Sequence, residues 1–275
     1  MQKSIEKFSQ GICRIFGKDD APEARGEKTE DRYKRRETRG GLFAARQGGI
    51  IGGKIYFLPG GVEVRYSLVI WDWNGTLFDD AAWCVRVMNR MLVKRGIPPL
   101  SGIDAYHRAF CFPVKEYYRN VGFDFSKESF ADLVAEFIAL YHANKTGQCR
   151  LHENTETTLK ALHQRHIPQI ILSASQKDNL LSQLGDFDIT NYFDEILGLS
   201  DIYAKSKIDI GLDYIARKGA GRAVLIGDTG HDVEVAAALG ADCLLIAGGH
   251  QSKEDLLLHG MPVLDDISQV PDYIF

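Results

Sequence analysis

The run Ser67-Leu68-Val69-Ile70-Trp71-Asp72-Trp73-Asn74-Gly75-Thr76 carries an apolar strand into one carboxylate and then into a Gly-Thr turn. A short buried run of this kind reads as the carboxyl end of a strand, where open α/β sheets place their ligands. An aspartate presented there suits a nucleophile, because a covalent intermediate divides one hard displacement into two easier ones. Two further segments repeat the arrangement. Ile170-Ile171-Leu172 ends in the hydroxyls and small side chain of Ser173-Ala174-Ser175. Ala223-Val224-Leu225-Ile226 ends in Gly227-Asp228, with Asp232 following on the same side of the turn. Between these two, Lys205 and Lys207 stand just ahead of the helical pattern Ile208, Leu212, Ile215.

These four segments, in this order and spread over residues 66 to 250, resemble the four signatures of the haloacid dehalogenase-like hydrolases. The first signature of that family is a strand followed by D-x-D-G-T, and here Asn74 stands at its second aspartate. That position is the family's general acid/base, and an amide can neither donate a proton to a leaving group nor take one from water. Ser173 matches the Ser or Thr that hydrogen-bonds the transferring phosphoryl group. Gly227-Asp228-Thr229-Gly230-His231-Asp232 resembles the acidic G-D-x-x-x-D motif that holds a divalent metal. Many relatives write the motif lysine as K-P-x-P, and neither proline is present. Lys207 occupies the loop-to-helix junction of that motif, and Lys205 is the alternative.

The resemblance implies a Mg²⁺-dependent phosphohydrolase acting on a small phosphorylated metabolite. Asp72 would attack phosphorus to form an aspartyl-phosphate. Metal ligands would be the Asp72 carboxylate, the main-chain carbonyl of Asn74 and Asp228, a hard-oxygen set suited to Mg²⁺. Lys207 and Ser173, with Ala174 and Thr76, would hold the phosphoryl oxygens, and Asp232 would orient the lysine. Thr76 ties down the loop that Gly75 lets turn sharply. Losing a positioned acid/base typically costs about 10²–10⁴-fold. Three outcomes fit: a substrate with a good leaving group, a substitute such as His231 or His107, or a weakened hydrolase kept as a phosphate-binding or interaction protein. A phosphomutase is a third class, which Asn74 counts against, and a metal-free dehalogenase is disfavoured by Asp228 and Asp232.

The elements that must position these residues are legible in the periodicity. From Ala81 the pattern turns helical, with Cys84, Val87, Met88, Met91 and Leu92 on one stripe and Gly96 as the stop. Pro98-Pro99 breaks the chain, and Ser101 is placed to cap a short helix. Phe112-Pro113-Val114 opens another, and a longer one carries Phe130, Leu133, Val134, Phe137, Ile138 and Tyr141. This all-helical insert, residues 81–149, resembles the cap of the phosphoglycolate phosphatase and β-phosphoglucomutase branch. From Asn154 onward, helices (157–164, 177–184, 208–218, 232–239) alternate with strands (168–173, 195–198, 223–227, 242–246), which means βαβ units. The expected fold is therefore α/β: a Rossmann-like parallel sheet built from residues 65–80 and 150–275, with an inserted helical cap.

Composition is compatible with this reading. A chain of 275 residues that is 45% hydrophobic can bury a large domain and a small one, and a net charge of −4 gives no basic footprint for nucleic acid. Five scattered cysteines, Cys13, Cys84, Cys111, Cys149 and Cys243, form no metal-ligand spacing and read as reduced thiols, which with the lack of a membrane span or leader implies the cytoplasm. Residues 1–64 are different. A charge run from Asp19 to Arg39 and four Gly-Gly pairs predict disorder, with a short amphipathic helix near Ile5–Phe16 as the one pattern. Because no methionine follows Met1 until Met88, Val62 or Val64 is the expected site of an alternative translation start.

Overall fold

The computed structural model describes residues 56–57, 63–143, 147–200, 206–219 and 221–275. Most of the 1–64 segment, including Cys13, the Ile5–Phe16 pattern and Val62, lies outside the described residues, as does Lys205. The residues described there form one short ladder. Strand β1 (Tyr56–Phe57) pairs antiparallel with β2 (Glu63–Val64), with Tyr56 opposite Val64. Aromatic and β-branched residues on either side of Gly60-Gly61 favour such a ladder, which the glycine count of the segment conceals.

Beyond it the chain runs β3 (Leu68–Trp71), β4 (Phe78–Asp79), then helices α1 (Ala81–Lys94), α2 (Ile103–Ala109), α3 (Val114–Asn120) and α4 (Phe130–Ala143). It returns through β5 (Arg150–Leu151) and then alternates: α5 (Thr155–Gln164), β6 (Gln169–Gln176), α6 (Lys177–Leu184), β7 (Glu195–Leu199), α7 (Lys207–Lys218), β8 (Ala223–Gly227), α8 (Gly230–Leu239), β9 (Asp242–Ile246). The closing elements are α9 (Lys253–Leu257), β10 (Val263–Leu264) and α10 (Val270–Ile274).

Six strands form one parallel sheet in the order β10-β9-β8-β3-β6-β7. Its strands are buried on both faces, which is why they read as continuous apolar runs rather than as alternations. Val69 and Trp71 enter one apolar cluster with Ile171, Val224 and Ile226, while Leu68 and Ile70 enter the other with Leu172 and Leu225. The chain moves from β3 outward through β6 and β7, then crosses back to build β8, β9 and β10 on the other side. The reversal opens a crevice at the carboxyl ends of β3 and β8, the place where such sheets bind ligands.

Helices α1 to α4 bury a separate core that includes Trp83, Met88, Met91, Tyr106 and Leu133. The chain leaves and re-enters the sheet layer through the antiparallel pair β4–β5, with Phe78 opposite Leu151. Two local expectations change. Ser101 does not cap α2, whose N-cap is Gly102 at φ +124° with no side-chain bond. In α7 the inward face is Lys207, Gly211 and Tyr214, while Leu212 is 44% exposed. Gly211 explains the turn of the helix: a Cβ there would lie 2.9 Å from Leu239 and 3.0 Å from Leu172, so the helix sits close on the sheet and carries Lys207 inward. Among the described residues Cys84, Cys111, Cys149 and Cys243 form no disulfide, and no helix is long and apolar enough to cross a membrane.

Candidate active site

The end of β3 delivers Asp72 to the crevice, nearly buried, beside the residues delivered by β8 and α7. Lys207 Nζ donates to Asp72 Oδ1 at 2.5 Å and to Asp232 Oδ1 at 2.7 Å, all three side chains being buried. A capping box fixes each end of this contact. Ser206 and Asp209 start α7 and aim Lys207, while Thr229 donates through its N–H and hydroxyl to Asp232 Oδ2 at the start of α8. Asp232 is thereby fully engaged between lysine and helix terminus. Gly227 makes room for it, since a Cβ there would fall 2.2 Å from its carboxyl carbon.

Asp228 lies on the other side of Asp72. Thr76 Oγ1 donates to Asp228 Oδ1 at 2.9 Å and approaches Asp72 Oδ2 at 3.4 Å, and the His250 N–H donates to Asp228 Oδ2 at 2.7 Å. The Gly75 turn, φ +78°, passes so close that a Cβ would stand 2.2 Å from Asp228 Oδ2. Burial pushes the Asp72 carboxyl up to about 6, with the Asp232 charge adding and Lys207 opposing. Burial likewise pushes Asp228 up to about 7, reinforced by the charges of Asp72 and Asp232 and opposed by His250. For Lys207 burial works against the charge, but Asp232 and Asp72 outweigh it and hold the ammonium above its ordinary range.

Oxygens of Asp72, Asp228 and Asp232 lie within 4.8 Å of one another. Lys207 is one cation shared between Asp72 and Asp232, and the other oxygen of Asp232 is taken by the Thr229 N–H and hydroxyl, which leaves Asp72 and Asp228 as the two carboxylates able to take a cation. Two hard carboxylates that resist ionisation in each other's presence fit a divalent cation of the Mg²⁺ type. Asp80, Cys84 and His250 form a second cluster of this spacing, but they are satisfied without an ion. Burial would neutralise His250, yet the charge of Asp80 at 3.4 Å raises it to about 9, so the ring is a cation rather than a ligand.

Asn74 occupies a position that sequence reasoning left open. Its Oδ1 accepts from Ser175 Oγ at 2.8 Å and its Nδ2 donates to Asp80 Oδ2 at 2.9 Å. Burial alone would raise Asp80, but His250, Tyr141 and Asn74 hold it below the carboxylate range. Tyr141, from α4, donates to the same oxygen at 2.6 Å. Of the two histidines weighed as substitutes, His107 bonds Gly249 O at 3.0 Å and does not line the crevice. His231 does line it, stacked on Phe112 and bonded to Glu234 Oε2 at 3.2 Å. Ser173 is buried at the crevice floor with Ala174 and accepts from the Ser175 N–H at 3.1 Å. Asp80, Tyr141 and His250 were not expected. The single local signal was the Gly248-Gly249-His250 turn after β9, where Gly249 admits Asp228 as Gly75 does.

Above this floor the helices α2, α3 and α4 cover a cavity of about 590 Å³. Tyr106 of α2 reaches down to His250 Nδ1 at 2.9 Å, joining the helical layer to the site.

Known proteins place this geometry in context. Relatives include tyrosine-protein kinase PtkA of Mycobacterium tuberculosis, 29% identical over 187 residues that make up 67% of this chain and 63% of that protein. The chain thus spans less than two thirds of that relative's length. A phosphoglycolate phosphatase of Agrobacterium fabrum is 24% identical over 215 residues, covering 76% of this chain and 92% of its own. A haloacid dehalogenase-like family hydrolase from Streptococcus pneumoniae superimposes with a TM-score of 0.65 at 20% identity, over 76% of this chain and 98% of that one. The family model for haloacid dehalogenase-like hydrolases matches residues 69–246, from the strand that ends at Asp72 through β9, and the chain belongs to that family.

Proposed function

We propose that the protein is a Mg²⁺-dependent phosphohydrolase that cleaves a small phosphomonoester through an aspartyl-phosphate on Asp72. The observation that carries this reading is the Asp72 carboxylate gripped by Lys207 at the mouth of the central strand, with Asp228 alongside and a partly open cavity above. A phosphate-binding module has no need of such a nucleophile.

The carboxylates of Asp72 and Asp228 and the main-chain carbonyl of Asn74 would hold Mg²⁺, which when bound would offset the mutual repulsion of nucleophile and phosphate. Asp72 Oδ attacks in line. Lys207, already carrying the charge its two aspartates stabilise, meets the equatorial oxygens as they gain negative charge. Ser173 and the Ala174 N–H donate to the same oxygens, and Asp232 keeps the lysine from swinging away. Thr76 holds Asp72 and Asp228 in one frame. Water then cleaves the acyl phosphate. The leaving group departs without help from Asn74, whose amide is fixed between Ser175 and Asp80. That same amide favours a second reading, a weakened hydrolase retained for phosphate binding.

One screen separates the two. Phosphate release from a panel of phosphomonoesters and acetyl phosphate, measured with Mg²⁺ and with EDTA, is expected to be metal-dependent and abolished in Asp72→Asn. Equal turnover in EDTA refutes the mechanism, and saturable binding without any turnover supports the second reading.

A further inference from the structure

We propose that the phosphomonoester taken by this site is an aryl phosphate, with its ring held against the aromatic underside of helices α2 to α4. The inference rests on the phosphohydrolase reading and adds the substrate class. Three independent features lead to it.

The first is the roof of the cavity. Phe110, Phe112, Val114, Phe137 and Ile138 line it and are only half-buried; Phe110, Val114, Phe137 and Ile138 pack in part on the helical core, and the apolar surface left over borders the space. Apolar side chains left facing a cavity mark a ligand site for an apolar body. Phe110 and Phe112 meet edge to face at 5.5 Å, and Phe112 stacks on His231 at 5.1 Å, giving a wall on which a flat ring can stack. A sugar would leave its hydroxyls without partners against such a wall, a discrimination of about 10²-fold for a single added hydroxyl.

The second is charge. Among the described residues that line the cavity there is no arginine, and Lys207 is the single lysine, already shared between Asp72 and Asp232. His231 and His250 face carboxylates, Glu234 and Asp80, and His142 lies edge-on to Tyr141. A second anionic group on the substrate, such as the carboxylate of a phosphoglycolate or another phosphate, finds no unengaged cation there. A volume of about 590 Å³ is also large for so small an acid.

The third is the leaving group. Asn74 supplies no proton, so the departing oxygen must carry its electron pair unaided. A phenol has a pKa of about 10, whereas an alkoxide approaches the basicity of hydroxide, water being about 15.7. The balance is simple. Asp72 Oδ forms a bond to phosphorus, the P–O(aryl) bond breaks, and the phenolate leaves with the electron pair to be protonated by solvent. Water then adds its oxygen to phosphorus and both its protons end on phosphate, releasing dihydrogen phosphate and the Asp72 carboxylate.

The test uses the full chain with Mg²⁺ and four probes: phenyl phosphate, benzyl phosphate, 2-phosphoglycolate and acetyl phosphate. The expected kcat/KM for phenyl phosphate exceeds that for 2-phosphoglycolate by about 100-fold or more. Benzyl phosphate has the same ring but an alkoxide leaving group, so it is expected to inhibit competitively with a Ki within about threefold of the phenyl phosphate KM while turning over slowly. Phe112→Leu and Phe137→Leu, each checked for folding by circular dichroism, are expected to lower the ratio of phenyl to acetyl phosphate kcat/KM by about tenfold. Hydrolysis of acetyl phosphate with phenyl phosphate no better than 2-phosphoglycolate overturns this inference alone, as does a ratio unmoved in both variants. No hydrolysis of any probe overturns the phosphohydrolase reading and this inference with it.

Discussion

Replacing Asn74 by aspartate restores the family's acid/base in name, but it places a carboxylate oxygen where an amide N–H now donates to Asp80 at 2.9 Å. Two unit charges at that separation repel by about 6 kcal/mol at an effective dielectric of about 20. At 1.36 kcal/mol per pH unit, that repulsion lifts the introduced carboxyl by about four units above the ordinary carboxylate value. The His250 cation, 3.4 Å from Asp80, offsets part of it. The introduced group is therefore expected to titrate between about 6 and about 8, and to remain protonated near neutrality with its proton donated to Asp80. A carboxylic acid of that strength is a competent general acid.

On an alkyl phosphomonoester the Asn74→Asp variant is thus expected to gain about 10²–10⁴-fold in kcat at pH 6.5, within the range of a positioned acid. The gain should fall away along an alkaline limb between about pH 6 and pH 8. Stability follows the same titration. A carboxyl whose folded pKa lies above its unfolded value costs nothing below the unfolded pKa of about 4, destabilises progressively between the two pKa values and levels off above the folded one. Melting temperature should therefore fall progressively below that of the parent from about pH 5 to about pH 8 and keep a constant deficit above that. The companion Asn74→Asp with Asp80→Asn removes the repulsion, so its limb should move down toward the ordinary carboxylate range and its gain at pH 6.5 should vanish. Rate profiles and thermal denaturation from pH 5 to 9.5 measure both. A single variant that gains nothing, or a double variant with the same alkaline limb, refutes the argument that Asp80 governs this position.

Other expectations follow from the same geometry. Lys207→Met leaves Asp72 and Asp232 buried without a cation, which should destabilise the fold by about 3–5 kcal/mol near neutrality, and less at pH 5 as a carboxyl protonates; calorimetric unfolding at the two pH values checks it. Gly75→Ala would drive a methyl against Asp228 at a positive φ, so Mg²⁺ affinity by titration calorimetry should drop by about tenfold or more. Mg²⁺ affinity of the parent should tighten between pH 5.5 and 7.5 and then level, because Asp72 and Asp228, raised to about 6 and about 7, must lose their protons to ligate. An affinity flat across that range would show that these two carboxylates are not the ligands.

The parts of this molecule that were legible in sequence are those whose cause is local. Ala223–Gly227 and Asp242–Ile246 were bounded correctly because parallel strands covered on both faces leave uninterrupted apolar runs. Lys177–Leu184 was bounded as a helix by its own periodicity. Asp72, Ser173 and Asp228 stood out as candidates because each closes such a run, and Asp232 because it follows Asp228 at the spacing of the resembled motif. The choice of Lys207 over Lys205 came from the loop-to-helix junction, and of the apolar pattern Ile208 and Ile215 pack on the core while Leu212 faces out. Gly211 lets α7 sit against Leu172 and Leu239, and an absent side chain leaves no mark in a hydrophobic pattern.

What stayed hidden depends on chain segments that meet only in the fold. Tyr141 reaches Asp80 from 61 residues away, and His250 arrives from the far side of the sheet. Together they convert Asn74 from a simple loss into one member of a satisfied network. Asp80 has at least four polar neighbours, counting the Gly75 N–H at 3.1 Å with Asn74, Tyr141 and His250. A carboxylate so fully stabilised is held ionised and is a poor proton donor. The amide is the residue that this carboxylate requires, since at 2.9 Å only a donor avoids repulsion. The substitution at 74 and the charge at 80 therefore act as one unit, and the unassisted departure of the leaving group follows from both.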